Sequence, residues 1–130
     1  MRFFLDNNLP PRIARALNCL LQPTHSAIHL KERFEPDTSD VDWLTALSLE
    51  TDWVILSADT AISRNPHEIE AWKLGGHPTF FLKAHWVHQP LWEQASRLFH
   101  LFPEILKHAE KARAGDAFVV PFKGGKIEKL

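Results

Sequence analysis

The sequence is short of the residues that staple or interrupt a fold. It has one cysteine, Cys19, in 130 residues. A single thiol cannot form an internal bridge, so a disulfide scaffold is excluded and a reducing, cytoplasmic setting is expected. The five glycines follow no repeat, which excludes a collagen-like fibre. No apolar run approaches the ~18 residues of a membrane span. The opening Met1-Arg2-Phe3-Phe4-Leu5 is cut off by Asp6 and is too short for a secretory signal. There is no Gly-rich phosphate loop. Gly75-Gly76 ends a helix-like segment instead of opening one, which leaves P-loop nucleotide binding unsupported. Internal repeats, low-complexity stretches and long linkers are also missing.

What is present suits one domain over residues 1–130. The chain is 45% hydrophobic and 24% charged. A globular chain of this length buries roughly 65–70% of its unfolded surface, enough for a core without disulfide or structural metal. The net charge of −1 hides an asymmetry. Residues 1–70 carry 11 acids against 6 Lys and Arg, and residues 71–130 carry 5 against 9. Either surface charges cluster by chance, or an acidic half suited to a metal ion faces a basic half suited to phosphate.

Apolar runs of strand length alternate with helix-like segments, which predicts βαβ units around a parallel sheet. Strands are expected at Arg2–Leu5, His25–Leu30, Trp53–Leu56 and Thr79–Leu82. Asn7 or Asn8 is expected to cap a first helix with Pro10 and Pro11 in its first turn, and Ile13, Ala16, Leu17, Leu20 and Leu21 as its apolar set. Ser39 starts a second helix. Asn65-Pro66 opens a third, stopped by Gly75-Gly76. From Leu91 to Ala112 apolar residues recur at alternating steps of four and three, with Trp92, Phe99 and Leu106 widening the stripe. Pro103 inside this run predicts a kink or two stacked helices. The stripe is either core or a seam for a homodimer or a partner helix. Phe118–Phe122 and Ile127–Leu130, around Lys123-Gly124-Gly125-Lys126, predict a C-terminal hairpin, with Pro121 placing its strand at a sheet edge.

In a parallel sheet, ligands bind beyond the carboxyl ends of the strands. Asp6 ends the first strand, Asp59 follows the third and Lys83 ends the fourth. Two acids on one rim need a counter-charge, from Lys83, Arg64 or a divalent cation. The bland alternative for each is a carboxylate accepting hydrogen bonds from turn amides. Asp40 and Asp42 fall in a capping pattern behind Ser39, and Glu68 in another behind Asn65. His85 and His88 have H-x-x-H spacing without a third ligand, so packing or surface roles are expected. Cys19 lies among apolar residues and reads as a buried, inert thiol. The five tryptophans read as core, with Trp86 beside Lys83 and His85 also able to stack a base.

The opening Phe3-Phe4-Leu5-Asp6-Asn7-Asn8-Leu9-Pro10 resembles the D-x-N-L-P start of small bacterial PIN-like proteins. Ser39-Asp40 and Val54-Ile55-Leu56-Ser57-Ala58-Asp59 fall where that group carries its next two acids, and the likeness runs over roughly residues 1–85. The Lys-Gly-Gly-Lys tail is similar to the end of one toxin-like branch. The resemblance implies a three-layer α/β/α fold with a mainly parallel sheet. It implies a ribonuclease dependent on Mg²⁺ or Mn²⁺, commonly the toxin of a VapC-like toxin–antitoxin pair, with RNA and an antitoxin protein as partners. By position, Asp6, Asp40 and Asp59 would be catalytic metal ligands with Asp42 as an auxiliary, while Asn8, Arg64 and Lys83 would hold substrate. A fourth acid is not found just after Asp59, where Thr60, Ala61 and Ile62 stand. Asp42 or Glu68 would have to substitute.

Two other readings compete. Asp6, Asp59 and Lys83 superficially resemble a phosphoaspartate site, but Asn7 and Asn8 stand where receivers and haloacid-dehalogenase-like phosphatases place a second acid. A non-catalytic PIN-like binding module is the other.

Overall fold

The computed structural model describes residues 1–59 and 64–130. Thr60, Ala61 and Ile62, where the family pattern would look for its fourth acid, lie outside the described residues. The chain runs β1 (Arg2–Leu5), α1 (Pro11–Leu21), β2 (Ser26–His29), α2 (Asp40–Ser48), β3 (Trp53–Ser57), α3 (Pro66–Gly75), β4 (Thr79–Leu82), α4 (Leu91–Lys111), β5 (Ala117–Val120) and β6 (Glu128–Lys129). Short 3₁₀ turns cover Leu30–Glu32 and Ala84–His88. The sheet order is β2-β1-β3-β4-β5-β6. Every pairing is parallel except β5 with β6.

The central strands are apolar throughout because both faces of the sheet are covered. In β3 all five residues are buried. Side chains alternate between two half-cores, as strand geometry requires. Phe3, Leu5, Val54, Leu56, Phe80 and Leu82 pack with α1 and α4. Phe4, Ile55 and Phe81 pack with α2 and α3. Register fixes this division: Phe3 lies beside Val54, and Phe80 lies beside Leu56 and Phe118. Each such side chain contributes about 1.5–3 kcal/mol of burial. The result is the α/β/α sandwich expected from the sequence.

Local chemistry sets the helix ends. Ser39 Oγ accepts from the Asp42 amide, and Asn65 accepts from the His67 amide with Pro66 in the first turn. Gly76 ends α3 with φ +67°, a left-handed conformation that costs a side-chain-bearing residue about 1–2 kcal/mol. A β-carbon there would meet only Ala114 Cβ at 3.7 Å. Gly76→Ala is therefore expected to lower unfolding free energy by about 1 kcal/mol through backbone strain alone. Urea denaturation checks this.

Several sequence expectations are corrected. Neither Asn7 nor Asn8 caps α1, whose N-cap is Pro10 without a side-chain bond. The Asn7 amide instead donates to the Pro36 carbonyl at 3.0 Å. Ala16 and Leu20 are exposed, and Ala14 takes their place in the buried set. Cys19 is exposed, because it lies on the helix face away from Leu17 and Leu21. The 91–111 segment is one helix with exposed Pro103 inside it. Proline forfeits one ladder bond, and the burial of Leu98, Phe102 and Ile105 on either side holds the helix together. Most of the stripe is thus core, with Trp92 left 83% exposed. Strand β5 lies between β4 and β6, so it is not an edge, and Pro121 falls one residue beyond it.

Candidate functional site

The parallel strands deliver their carboxyl ends to one rim, and four acids gather there from four segments. Asp6 follows β1, Asp40 opens α2, Asp59 follows β3, and Glu68 lies in the first turn of α3. Asp6 continues the sheet, its amide donating to the Leu56 carbonyl at 3.1 Å. Its side chain is 2% exposed. The Ser57 hydroxyl donates to Oδ2 at 2.5 Å, and the Asn8 and Ala58 amides donate to Oδ1 at 3.1 and 3.4 Å. Burial still dominates, and the Asp59 charge adds to it, so the Asp6 carboxyl is pushed up to about 6. Three hydrogen bonds to the charged form offset only part of the desolvation.

Asp40 is placed by the core. The Trp43 indole, fully buried and stacked on Phe4 at 5.0 Å, donates Nε1–H to Asp40 Oδ1 at 2.9 Å. Asp40 is half-buried, is hydrogen-bonded to Asp59, and faces the charges of Asp59 and Glu68. Its carboxyl is pushed up to about 7, first by burial and then by Asp59. The hydrogen-bond contact with Asp59 favours the protonated form of Asp40. Glu68 is raised by burial and by the Asp59 charge. Among the described residues, its Oε2 is buried with no hydrogen-bond partner.

The sequence brings Asp6, Asp40 and Asp59 to the same rim, as expected. It does not bring Asp42, which is exposed and sits about 200° around α2 from Asp40 at 100° per residue. Glu68 is the acid that joins the cluster. The pattern Asn65-Pro66-His67-Glu68 disguises it as a capping residue, but the cap is Asn65. Asn8 offers its backbone amide to Asp6, with its side chain exposed. Arg64 is exposed just ahead of α3. Lys83 is exposed at the end of β4 and lines a pocket with the C-terminal loop. A buried Asp6 with its oxygens already engaged, and Lys83 turned to that pocket, do not assemble a phosphoaspartate site. Trp86 is fully buried, its indole donating to Val120 O at 3.0 Å, so it cannot stack a base. A cavity of about 450 Å³ around Met1, His25, Asp52 and His77 lies at the opposite end of the strands.

The donor set was tested against a hard divalent cation. All four groups are carboxylates, the oxygen chemistry that Mg²⁺ and Mn²⁺ take. The unpartnered Glu68 oxygen and the raised Asp40 carboxyl mark acids lacking full compensation. Among the described residues, no three of His, Cys, Asp and Glu form a ready-made ion cage. Mg²⁺ needs none, because it keeps several waters and takes one or two carboxylates plus substrate phosphate. The residues fit such an ion in chemistry, with Asp59 as the centre of the cluster.

The raised carboxyls make stability depend on pH. Folded Asp40 holds its proton up to about 7 and folded Asp6 up to about 6, against 3.8 unfolded. In that window the folded state binds more protons, so these two groups lose stability as pH rises. His29, buried and lowered by burial, acts in the opposite sense below its ordinary 6.5. Comparison with Asp40→Asn removes that common background. The wild type is expected to lose stability relative to Asp40→Asn between about pH 5 and pH 7.5 in chelator. Parallel urea midpoints across that range would contradict it.

Residues 1–84 match the model of a family described as a PIN like domain. No curated protein matches, and no solved structure matches. Among the described residues, no helix is long and apolar enough to cross a membrane.

Proposed function

Because the chain belongs to the PIN-like domain family, a nuclease-type module, we propose that it is an endoribonuclease dependent on Mg²⁺ or Mn²⁺, the toxin of a toxin–antitoxin pair. The observation that carries this reading is the convergence of Asp6, Asp40, Asp59 and Glu68 on one rim, where the Asp59 charge acts on the other three.

Asp40, Asp59 and Glu68 would hold the ion, with Asp6 at its inner side. A bound ion of this kind lowers the pKa of water and offsets charge on phosphate oxygens. The chain's own residues do the rest. Ser57 and the Asn8 and Ala58 amides fix the Asp6 carboxylate. Trp43 fixes Asp40. Asp40, its carboxyl pushed up to about 7, can hold a proton near neutrality. Arg64 and Lys83 carry positive charge on the exposed approach to the rim, where they would position the RNA backbone. Single-stranded or loop RNA suits the site, since its phosphodiesters are accessible. An antitoxin has an apolar place to dock beside exposed Trp92.

The test is cleavage of a labelled single-stranded RNA in Mn²⁺ or Mg²⁺ against the same reaction in chelator, with ion binding followed by calorimetry. Metal-dependent cleavage supports the reading. If RNA stays intact and no ion binds even with RNA present, the second reading, a non-catalytic PIN-like binding module, takes over. The hydrogen bonds that already engage Asp6 favour that alternative.

A further inference from the structure

A second polar feature opens on the same rim. Lys83, at the end of β4, and Lys123 and Lys126, from the loop between β5 and β6, surround a pocket of about 210 Å³. Glu128 is the acid among its lining residues. Three ammonium groups against one carboxylate leave it strongly positive. Its lining includes no aromatic ring, so it is built to read charge and not a base. Neighbouring strands lie about 4.8 Å apart, which puts the ends of β3 and β5 about 10 Å from each other. The basic pocket and the acids are therefore neighbours across the rim.

The loop is held in place. Phe122 meets Trp86 at 5.0 Å and His85 at 5.7 Å, edge to face. Ile127 is buried on the return. The Lys83 amide and the Trp86 indole both donate to Val120 O, at 3.2 and 3.0 Å. Between the two anchors, Gly124 and Gly125 take φ +54° and +70°. Among the described residues, no backbone hydrogen bond closes this bend. A loop fixed at both ends, with a cationic cleft beneath it, is preorganised for an anion.

We propose that this pocket seats a backbone phosphate of the RNA strand, Lys83, Lys123 and Lys126 neutralising it while a neighbouring linkage lies over the acids. The proposal deepens the ribonuclease reading and rests on it for the identity of the strand. Lys123 and Lys126 are positioning residues in this account.

The experiment measures binding of a fluorescent single-stranded oligoribonucleotide by anisotropy, in chelator to prevent cleavage, over a salt series. Lys123→Gln/Lys126→Gln is expected to weaken binding ~10-fold and to flatten the slope of log affinity against log salt by about 0.7, the share of one phosphate on a single strand. Lys107→Gln/Lys111→Gln removes equal charge from exposed positions of α4 and should leave that slope unchanged. Unchanged affinity and slope in the loop variant would overturn the pocket, and so would an equal loss in the α4 variant. The two readings fail separately. RNA cleaved by wild type and bound equally by the loop variant sinks the pocket alone. RNA bound through the loop lysines but never cleaved with metal sinks the nuclease reading alone.

Discussion

Asp59→Asn is expected to lower metal-dependent RNA cleavage by more than about 100-fold while leaving the circular dichroism spectrum unchanged. Partners that only orient metal ligands cost 10–100-fold when mutated, so loss of a central carboxylate should exceed about 100-fold. Asp59 is that centre: it is the charge named as acting on Asp6, Asp40 and Glu68 alike. The amide keeps the shape and removes the charge, so the neighbouring acids lose a repulsive partner, while burial still holds them raised. Calorimetry with Mn²⁺ should show the ion affinity falling in parallel. Cleavage by Asp59→Asn within about threefold of wild type would remove the acids from the chemistry.

Trp43→Ala is expected to destabilise the fold by about 3–5 kcal/mol, the range for deleting a large buried aromatic. Trp43 is fully buried, stacks on Phe4 at 5.0 Å with planes 27° apart, and belongs to the half-core of α2 and α3. From a marginal stability of about 5–15 kcal/mol, roughly a fifth or more would disappear. Urea denaturation reads this loss. Trp43→Phe separates packing from positioning. It retains a ring against Phe4 but loses the Nε1–H bond to Asp40, so it should fold while cleaving RNA about tenfold more slowly. Rates equal to wild type in Trp43→Phe would confine Trp43 to the core.

The local part of this arrangement was legible. Continuous apolar runs gave β1, β3 and β4, and the Ser39 and Asn65 patterns gave two helix starts, because strand burial and capping are short-range physics. Asp6, Asp40 and Asp59 were readable as strand-end or helix-start acids. Glu68 was legible only as a substitute beside Asp42, because an acid at the third helical position is favoured by capping and by the helix dipole whether or not it has other work. Only the packing of α3 beside α2 tells the two apart. Lys123 and Lys126 were visible as a basic turn. Their meeting with Lys83 depends on β5 lying beside β4, a pairing of Thr79 with Ala117 that no local signal encodes. Cys19 and Trp92, both read as buried and both exposed, failed for one reason: composition around a residue does not say which way its side chain faces.

The position of β1 has a consequence for the order of events when the chain is made. It lies inside the sheet, Arg2 paired with Ser26 on one side and with Trp53 on the other. During synthesis β1 must therefore wait for a partner some fifty residues behind it, a long-range closure that is slow to form. Asp6 emerges early, Asp40 and Asp59 later, and Glu68 after that. Until β3 docks and α3 follows, these acids are scattered along a flexible chain with their ordinary affinity for protons. The acidic cluster therefore exists only once the sheet has closed and α3 has docked.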